Sequence, residues 1–373
     1  MTFDYANLRQ RRPTIVGAGA YVPDIRMSTA RIARIIPGWT PERIVDRTGI
    51  HERRYLWDID DDTGKAIEPA RGDGSLPTSG VDMSEIALRK ALQAARLRSA
   101  SLDAIFVVTC TPDRPSFGQD AMALHRRLDC RADCYAMVFD SGCGGTMYVF
   151  DMVAKMVAAG AIRTAAIVGS NFTSSMVDRD LYTQSIPLDG SDKSIGAFLS
   201  AYVFGDGAGA IILQGEDDGE RGVVASVAGN EHLDLVFRPG GGALLPPCSP
   251  RSRPIDTAFV VNGALVQQSY LRCMRQSLDH VLARASTPVD AVRRYYMHQP
   301  NQRLLEHFAA SMGMRPDQLA SNVARHGNTS SAGMLILLAE DIERGAVALG
   351  SGDLVAFAAI GAGAHVGAQL VRL

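Results

Sequence analysis

Apolar residues along this chain occur in short continuous runs that alternate with segments of helical spacing. In residues 84–97, for example, the apolar positions fall on one face of a helix and Arg and Lys occupy the others. Runs that are apolar throughout are typical of strands buried on both faces, so the pattern predicts a layered α/β fold. The predicted strands are 14–16, 104–109, 135–139, 165–168, 208–213, 295–297 and 354–360.

A Gly/Ala-rich pattern occurs twice along the chain. Residues 204–213 (FGDGAGAIIL) and 360–368 (IGAGAHVGA) both run from an apolar residue through alternating Gly and Ala into an apolar strand. Self-similarity of this kind predicts two similar halves, 1–215 and 216–373. Two unrelated Gly-rich hairpins are the alternative.

The composition excludes several classes of protein. With 46% hydrophobic and 21% charged residues, the 373-residue chain is an ordinary globular one, and its 38 Lys+Arg against 40 Asp+Glu give no overall charge for binding nucleic acid. It contains no apolar stretch of roughly 18 residues that would suit a membrane span, and its N-terminus lacks the apolar core of a signal peptide. We therefore expect a cytoplasmic protein with no membrane or nucleic-acid partner.

The chain has six cysteines, too few for a disulfide framework, so we expect free thiols. Cys130 and Cys134 have a spacing that suits a metal, but no second pair accompanies them. We therefore expect no metal site.

Cys143 is the strongest candidate for chemistry. It lies in a Gly-rich turn, FDSGCGG, between a predicted strand and a helix predicted over 147–158. The N–H groups and positive end of a helix favour a thiolate, and small neighbours leave the sulfur accessible. A buried structural cysteine is the alternative.

Two polar side chains in the C-terminal half occupy comparable turns. His298, in MHQPN, follows a predicted strand, and Asn328, in RHGNTSS, precedes an apolar helix. A satisfied surface histidine and a helix cap are the respective alternatives. If both side chains face one site, they can donate hydrogen bonds to a single oxygen and stabilise negative charge there.

The C-terminal loop Gly361, Ala362 and Gly363 carries almost no side-chain bulk. Its backbone N–H groups can therefore approach a ligand closely and form a second oxyanion hole with the N–H of Cys143. The loop does not continue into the glycine pattern of a dinucleotide site.

These motifs in this order resemble the β-ketoacyl-acyl-carrier-protein synthase III family of the thiolase superfamily. The resemblance runs from RTGI at residues 47–50 through FGDGAGA to the last predicted strand. It implies a five-layered α-β-α-β-α fold made of two similar halves, with Cys143 in the first half and His298 and Asn328 in the second. It also implies a homodimer.

The resemblance implies a decarboxylative condensing enzyme, in fatty-acid initiation or in secondary-metabolite (polyketide-like) biosynthesis. Cys143 would take an acyl group from coenzyme A or an acyl carrier protein, while His298 and Asn328 would bind a malonyl thioester. The thioesters are substrates, and no cofactor is expected.

Two other functions stay open at this point. An acyltransferase acting on an alcohol or amine needs a base where this chain has Asn328, and an amide cannot accept the proton. A non-catalytic partner in a heterodimer would have no need for Cys143, His298 and Asn328 together.

Arg47 and Arg303 match family positions near the pantetheine entrance, where they would bind coenzyme A or an acidic carrier protein. Solvated surface arginines are the alternative. Arg43 stands where many family members have a Trp that stacks on adenine, which makes a carrier-protein donor more favourable. The additional residues around 58–80 and 176–200 predict an altered acyl tunnel.

Overall fold

The computed structural model describes residues 11–69, 76–182, 185–187, 194–196, 203–217 and 219–373. Every predicted strand is present. The strands are β1 (Arg12–Tyr21), β2 (Ile25–Ser28), β3 (Glu52–Tyr55), β4 (Asp58–Ile59), β5 (Ala66–Ile67), β6 (Ala104–Thr109), β7 (Tyr135–Asp140), β8 (Thr164–Asn171), β9 (Ser185–Pro187), β10 (Ser194–Gly196), β11 (Gly207–Glu216), β12 (Gly222–Asn230), β13 (Val236–Phe237), β14 (Val260–Val261), β15 (Arg294–Met297), β16 (Leu354–Ile360) and β17 (His365–Arg372).

Two larger sheets organise the chain. The first has the strand order β1-β11-β8-β6-β7 and the second β12-β17-β16-β15. In the first sheet β8, β6 and β7 run parallel, while β11 runs antiparallel to both of its neighbours. All strands of the first sheet precede residue 217 and all strands of the second follow residue 221. That the two halves resemble each other stays a prediction.

The α-helices complete the layers. They are α1 (Thr29–Ile35), α2 (Pro41–Thr48), α3 (Gly80–Ala95), α4 (Gln119–Arg127), α5 (Gly145–Ala158), α6 (Arg179–Tyr182), α7 (Gly263–Arg284), α8 (Gln302–Ser311), α9 (Val323–His326) and α10 (Gly333–Glu343). Helices α3 and α4 cover the outer face of the first sheet, and α7 covers the outer face of the second. Helix α5 contacts strands of both sheets. The predicted α-β-α-β-α architecture is confirmed.

Two of the helices lie between the two sheets, which explains why they are apolar on nearly all sides. Helices α5 (GTMYVFDMVAKMVA) and α10 (GMLILLAEDIE) bury most of their residues. A helix that is covered on both sides has little use for a polar face. The core between the sheets includes an edge-to-face contact of Phe150 with Phe357, with ring centroids 6.0 Å apart.

Helix α3 begins earlier than its apolar spacing predicts. The side chain of Ser79 accepts a hydrogen bond from the N–H of Asp82, and the Asp82 carboxylate accepts from the N–H of Ser79, which forms a capping box. The helix therefore begins at Gly80, and it ends before Arg96, whose φ is 55°.

Strand β7 departs from the prediction of burial on both faces. It lies at the edge of its sheet, and the side chains of Tyr135 and Met137 are each 54% exposed. This open edge leaves an apolar strip on the surface of the single chain.

The predicted loop 58–80 contains a short hairpin of β4 and β5, and its residues 70–75 lie outside the described ranges. The segment 176–200 includes α6, β9 and β10, with 183–184, 188–193 and 197–200 outside them. Within the described residues, no helix combines the length and apolar character that crossing a bilayer requires.

Candidate active site

Three side chains far apart in sequence meet in one cavity of about 270 Å³. Cys143, His298 and Asn328 all line it, together with Arg47 and Arg303. The thiol follows β7, the imidazole follows β15, and the carboxamide lies between α9 and α10. We call this space the small cavity.

Cys143 is buried, with 6% of its surface exposed, and its Sγ lies 3.4 Å from Oγ of Ser330. Burial raises the pKa of the Cys143 thiol, although hydrogen bonds with Ser330, with its own backbone N–H and with Asn328 act in the opposite direction. The predicted position before a helix is correct, since α5 begins two residues later. The direction of this shift is opposite to the predicted preference for a thiolate, because desolvation of the buried sulfur is a larger effect than these hydrogen bonds.

His298 is held by its backbone rather than by its ring. Its N–H donates to the carbonyl of Ala358 at 2.9 Å, and its carbonyl accepts from the Tyr270 hydroxyl at 2.8 Å. Burial lowers the pKa of His298 to about 3, so the ring is neutral at pH 7. Nδ1 has no hydrogen-bond partner among the described residues. A neutral imidazole can donate one hydrogen bond to a substrate oxygen without bringing a charge.

Asn328 is fixed in the turn before α10. Its N–H donates to the carbonyl of Val203, and its own carbonyl accepts from the N–H of Gly205 at 3.1 Å. The side-chain Oδ1 accepts from the N–H of Ser330 at 2.8 Å, which leaves the amide N–H groups to donate. The alternative of a cap for the following helix is not found, because α10 follows Ala332 and has no side-chain cap.

The C-terminal loop touches the cysteine turn through bare backbone. A Cβ on Gly361 would lie 2.1 Å from the N of Gly144, and one on Gly144 would lie 2.1 Å from the carbonyl oxygen of His365. The N–H of Gly361 donates to that same oxygen at 3.1 Å. The loop donors that remain for an oxyanion are therefore Ala362 and Gly363.

Replacing Gly144 with alanine is expected to lower the free energy of unfolding by about 1–3 kcal/mol, because a methyl group would overlap backbone that cannot rotate away. Thermal and denaturant unfolding measure this change. Gly229 in β12 is the matched control, since nothing lies within 4 Å of its would-be Cβ. Equal stability of Gly144→Ala and Gly229→Ala would show that the two loops do not touch in this way.

A second cavity of about 780 Å³ also reaches the thiol. We call it the large cavity. Its lining includes Cys143, Ser141, His365 and Phe204, and Phe204 and Cys143 line the small cavity as well. The sulfur therefore lies where the two cavities meet, with room for one substrate on each side.

Sequence reasoning missed two contacts beside the thiol. Ser330 lies next to Cys143 in a backbone conformation with φ of 49°, which no pattern of residues indicates. Ser141 and His365 form a hydrogen bond of 2.8 Å between Oγ and Nδ1, although the two residues lie 224 positions apart. All three residues belong to motifs that the sequence analysis describes, but the spacing of those motifs does not indicate the contacts.

The two arginines lie as predicted on the small cavity. Arg303 also faces Glu306 at 3.5 Å on the surface. The guanidinium carbons of Arg43 and Arg47 lie 4.1 and 5.4 Å from the ring centroid of Trp39. An aromatic ring is thus present beside Arg43, supplied by a residue four positions earlier in the chain.

Comparisons with known proteins agree with this geometry. A family described as 3-oxoacyl-[acyl-carrier-protein] synthase III matches residues 139–231, and the C-terminal domain of that family matches 282–373. The chain is 30% identical over 369 residues to a β-ketoacyl-[acyl-carrier-protein] synthase III of Symbiobacterium thermophilum, covering 96% of this chain and 97% of the relative. It is 29% identical to the enzyme of that name from Rhodospirillum rubrum, covering 97% and 99%.

Solved structures show the same fold. The 3-oxoacyl-(acyl carrier protein) synthase III of Pseudomonas aeruginosa is 23% identical, with a TM-score of 0.77 over 97% of this chain and 98% of that one. The priming β-ketosynthase of the R1128 polyketide pathway is also 23% identical, with a TM-score of 0.77 and coverage of 98% of each chain. The chain belongs to the β-ketoacyl-acyl-carrier-protein synthase III family of condensing enzymes.

Proposed function

We propose that this protein joins an acyl group held on Cys143 to a malonyl thioester, with loss of CO2. The observation that carries the proposal is the meeting of Cys143, His298 and Asn328 on one cavity while the same thiol lines a second one. A condensing enzyme needs this arrangement, because the enolate carbon of one thioester must reach the carbonyl carbon of the acyl group on the thiol.

The first step is acylation of the cysteine. The sulfur of Cys143 attacks the thioester carbonyl of an acyl donor, the donor's carbon–sulfur bond breaks, and the thiol proton goes to the departing thiolate. The oxygen becomes negatively charged in the tetrahedral intermediate. The N–H groups of Cys143 and Ala362 are the proposed donors to that oxygen.

The second step is decarboxylation of the malonyl thioester in the small cavity. His298 and Asn328 donate hydrogen bonds to its carbonyl oxygen as the bond to the carboxylate breaks and CO2 leaves, so that an enolate forms. The enolate carbon attacks the carbonyl of acyl-Cys143. The carbon–sulfur bond breaks, a β-ketoacyl thioester is released, and the departing Cys143 thiolate takes up a proton from water to restore the thiol.

Acyl transfer to an alcohol or amine is the less favourable function. That reaction needs a base for the proton of the acceptor. Asn328 cannot accept a proton in this way, and burial, which lowers the pKa of His298 to about 3, makes the imidazole a weak base.

Acyl-coenzyme A and an acyl carrier protein are the proposed sources of both thioesters. Arg47 and Arg303 on the small cavity suit the phosphate of a pantetheine arm or an acidic carrier. Trp39 beside Arg43 supplies an aromatic surface that suits the adenine of coenzyme A, which favours coenzyme A as one of the donors.

A homodimer is the proposed assembly. The open edge of β7 presents Tyr135 and Met137, and Phe117 nearby in sequence is 90% exposed. An exposed apolar sheet edge is a surface that a second copy can cover.

The proposed function is tested by intact-mass spectrometry after incubation with acyl-coenzyme A and acyl-carrier-protein donors. We expect a mass gain equal to one acyl group on Cys143, then release as a β-ketoacyl thioester when malonyl-carrier protein is added. No mass gain with any donor would contradict the proposal and favour a non-catalytic partner.

Acylation of Cys143 is expected to accelerate with pH. Burial raises the pKa of this thiol, so its thiolate fraction should rise roughly tenfold per pH unit from pH 6 to pH 8 and reach no plateau below about pH 9. Alkylation rates mapped to Cys143 by peptide mass measure this dependence. A rate that levels off near pH 7 would indicate a thiolate stabilised by the helix instead.

A further inference from the structure

Building on the proposed function, we infer that the acyl group accepted by Cys143 carries a second carboxylate at its far end. The large cavity is the space left for this group, because the small cavity holds His298 and Asn328 for the malonyl thioester. Its lining is largely apolar, with residues such as Phe204, Val236 and Phe259, but it also carries two arginines.

Four polar side chains line part of the large cavity. Ser141 and His365 are hydrogen-bonded to each other there, and Asn171 and Thr173 donate to the carbonyl of Gly205 and to Asp206. Because these hydrogen bonds are made within the protein, the charged side chains are what distinguish this cavity.

Two arginines line the large cavity further along. Arg238 follows β13, and Phe259 precedes β14, its antiparallel partner strand. The guanidinium carbon of Arg238 lies 5.3 Å from the ring centroid of Phe259, which orients the guanidinium plane. Among the described residues, neither Arg238 nor Arg114 makes an ion pair or a side-chain hydrogen bond.

The two carboxylates closest to Arg114 in sequence accept hydrogen bonds from backbone groups, and Asp120 also interacts electrostatically with Arg114. Asp113 accepts from the N–H groups of Gly80 and Val81 at 2.7 and 3.0 Å, and Asp120 accepts from the N–H of Asp113 at 3.0 Å. Neither Asp113 nor Asp120 lines the large cavity, whose one acidic side chain among the described residues is Asp140.

The lining therefore carries two positive side chains, both of them exposed, and one negative side chain. Arg114 and Arg238 together exceed Asp140 by one unit. A guanidinium is the side chain best suited to a carboxylate, which it binds through two parallel hydrogen bonds. The phosphates of coenzyme A or a carrier do not account for these arginines, because Arg47 and Arg303 serve the other cavity.

The test compares matched thioesters that differ in the terminal carboxylate. N-acetylcysteamine thioesters of glutarate and pentanoate form one pair, and those of adipate and hexanoate a second. The rate of mass gain on Cys143 is measured for the wild type, Arg238→Gln and Arg114→Gln. Arg284→Gln, at the end of α7 and away from both cavities, is the matched control.

We expect the wild type to take the dicarboxylic member of at least one pair about tenfold faster. Arg238→Gln should reduce that rate by about tenfold and leave the rate with the neutral thioester unchanged. Added salt should reduce the preference as well, since the Arg114 and Arg238 side chains are exposed.

Several other outcomes would contradict the inference. Acylation that favours the neutral member of both pairs overturns the carboxylate inference and leaves the condensing function intact. Variants that slow both members equally, or that change the oligomeric state without changing the preference, also overturn it. Absence of acylation by every thioester refutes the proposed function together with this inference.

Discussion

Replacing Cys143 with alanine is expected to abolish acyl-enzyme formation and condensation together. The sulfur is the proposed point of attachment and lines both cavities, whereas the nearby thiol of Cys110 lines only the large cavity. We expect the mass gain to disappear and condensation to fall at least about a thousandfold. Intact-mass spectrometry and product formation with a malonyl thioester measure the two effects.

Two control variants distinguish this loss from general damage. Cys273 is buried in the core of the second half and lines neither cavity, and Cys248 is exposed on the surface. Cys273→Ala and Cys248→Ala should keep full acylation. Condensation that persists in the Cys143→Ala protein would overturn the proposed mechanism.

Replacing Asn328 with aspartate is expected to separate the two steps. The new carboxylate keeps an oxygen to accept from the N–H of Ser330, so the turn should be retained. It removes the amide donors and places negative charge where the enolate forms. Condensation should fall about a hundredfold to a thousandfold, while acylation of Cys143 continues.

Accumulated acyl-enzyme in the presence of a malonyl thioester is the signature of the Asn328→Asp variant. Asn262 is the matched control, because its side chain also accepts from a backbone N–H, that of Leu265, and it lines neither cavity. Asn262→Asp should condense normally. Loss of acylation and condensation to the same extent in Asn328→Asp would assign this residue to the first step instead.

The arrangement of strands was accessible from sequence because it depends on burial. A continuous apolar run such as 104–109 or 354–360 is apolar at every position, and the structure covers both of its faces. Residues 135–139 were less informative. Their strand lies at a sheet edge, and apolar character alone does not distinguish an exposed edge strand from a strand that is covered on both faces.

The pKa shifts of Cys143 and His298 could not be predicted from the sequence. The sequence locates Cys143 before a helix, and this predicts a lowered pKa. It does not report how completely the thiol is withdrawn from water, and this burial raises the pKa. The same holds for His298, whose pKa is lowered to about 3 by burial alone.

Contacts between the two halves were also beyond sequence reasoning. Ser141 and His365 meet only because the turn after β7 and the C-terminal loop converge, and the close approach of Gly144 to His365 has the same origin. Spacing along the chain describes local periodicity. It gives no distance between residues that separate elements bring together.

The separation of the small and large cavities has a consequence for how such enzymes diverge in evolution. The two spaces share Cys143, Phe204 and Val236, whereas no arginine lines both of them. Substitutions at positions such as 114 and 238 can therefore alter the choice of starter group without disturbing the residues that handle the extender. A lineage can acquire a new starter by changes on one side of the sulfur.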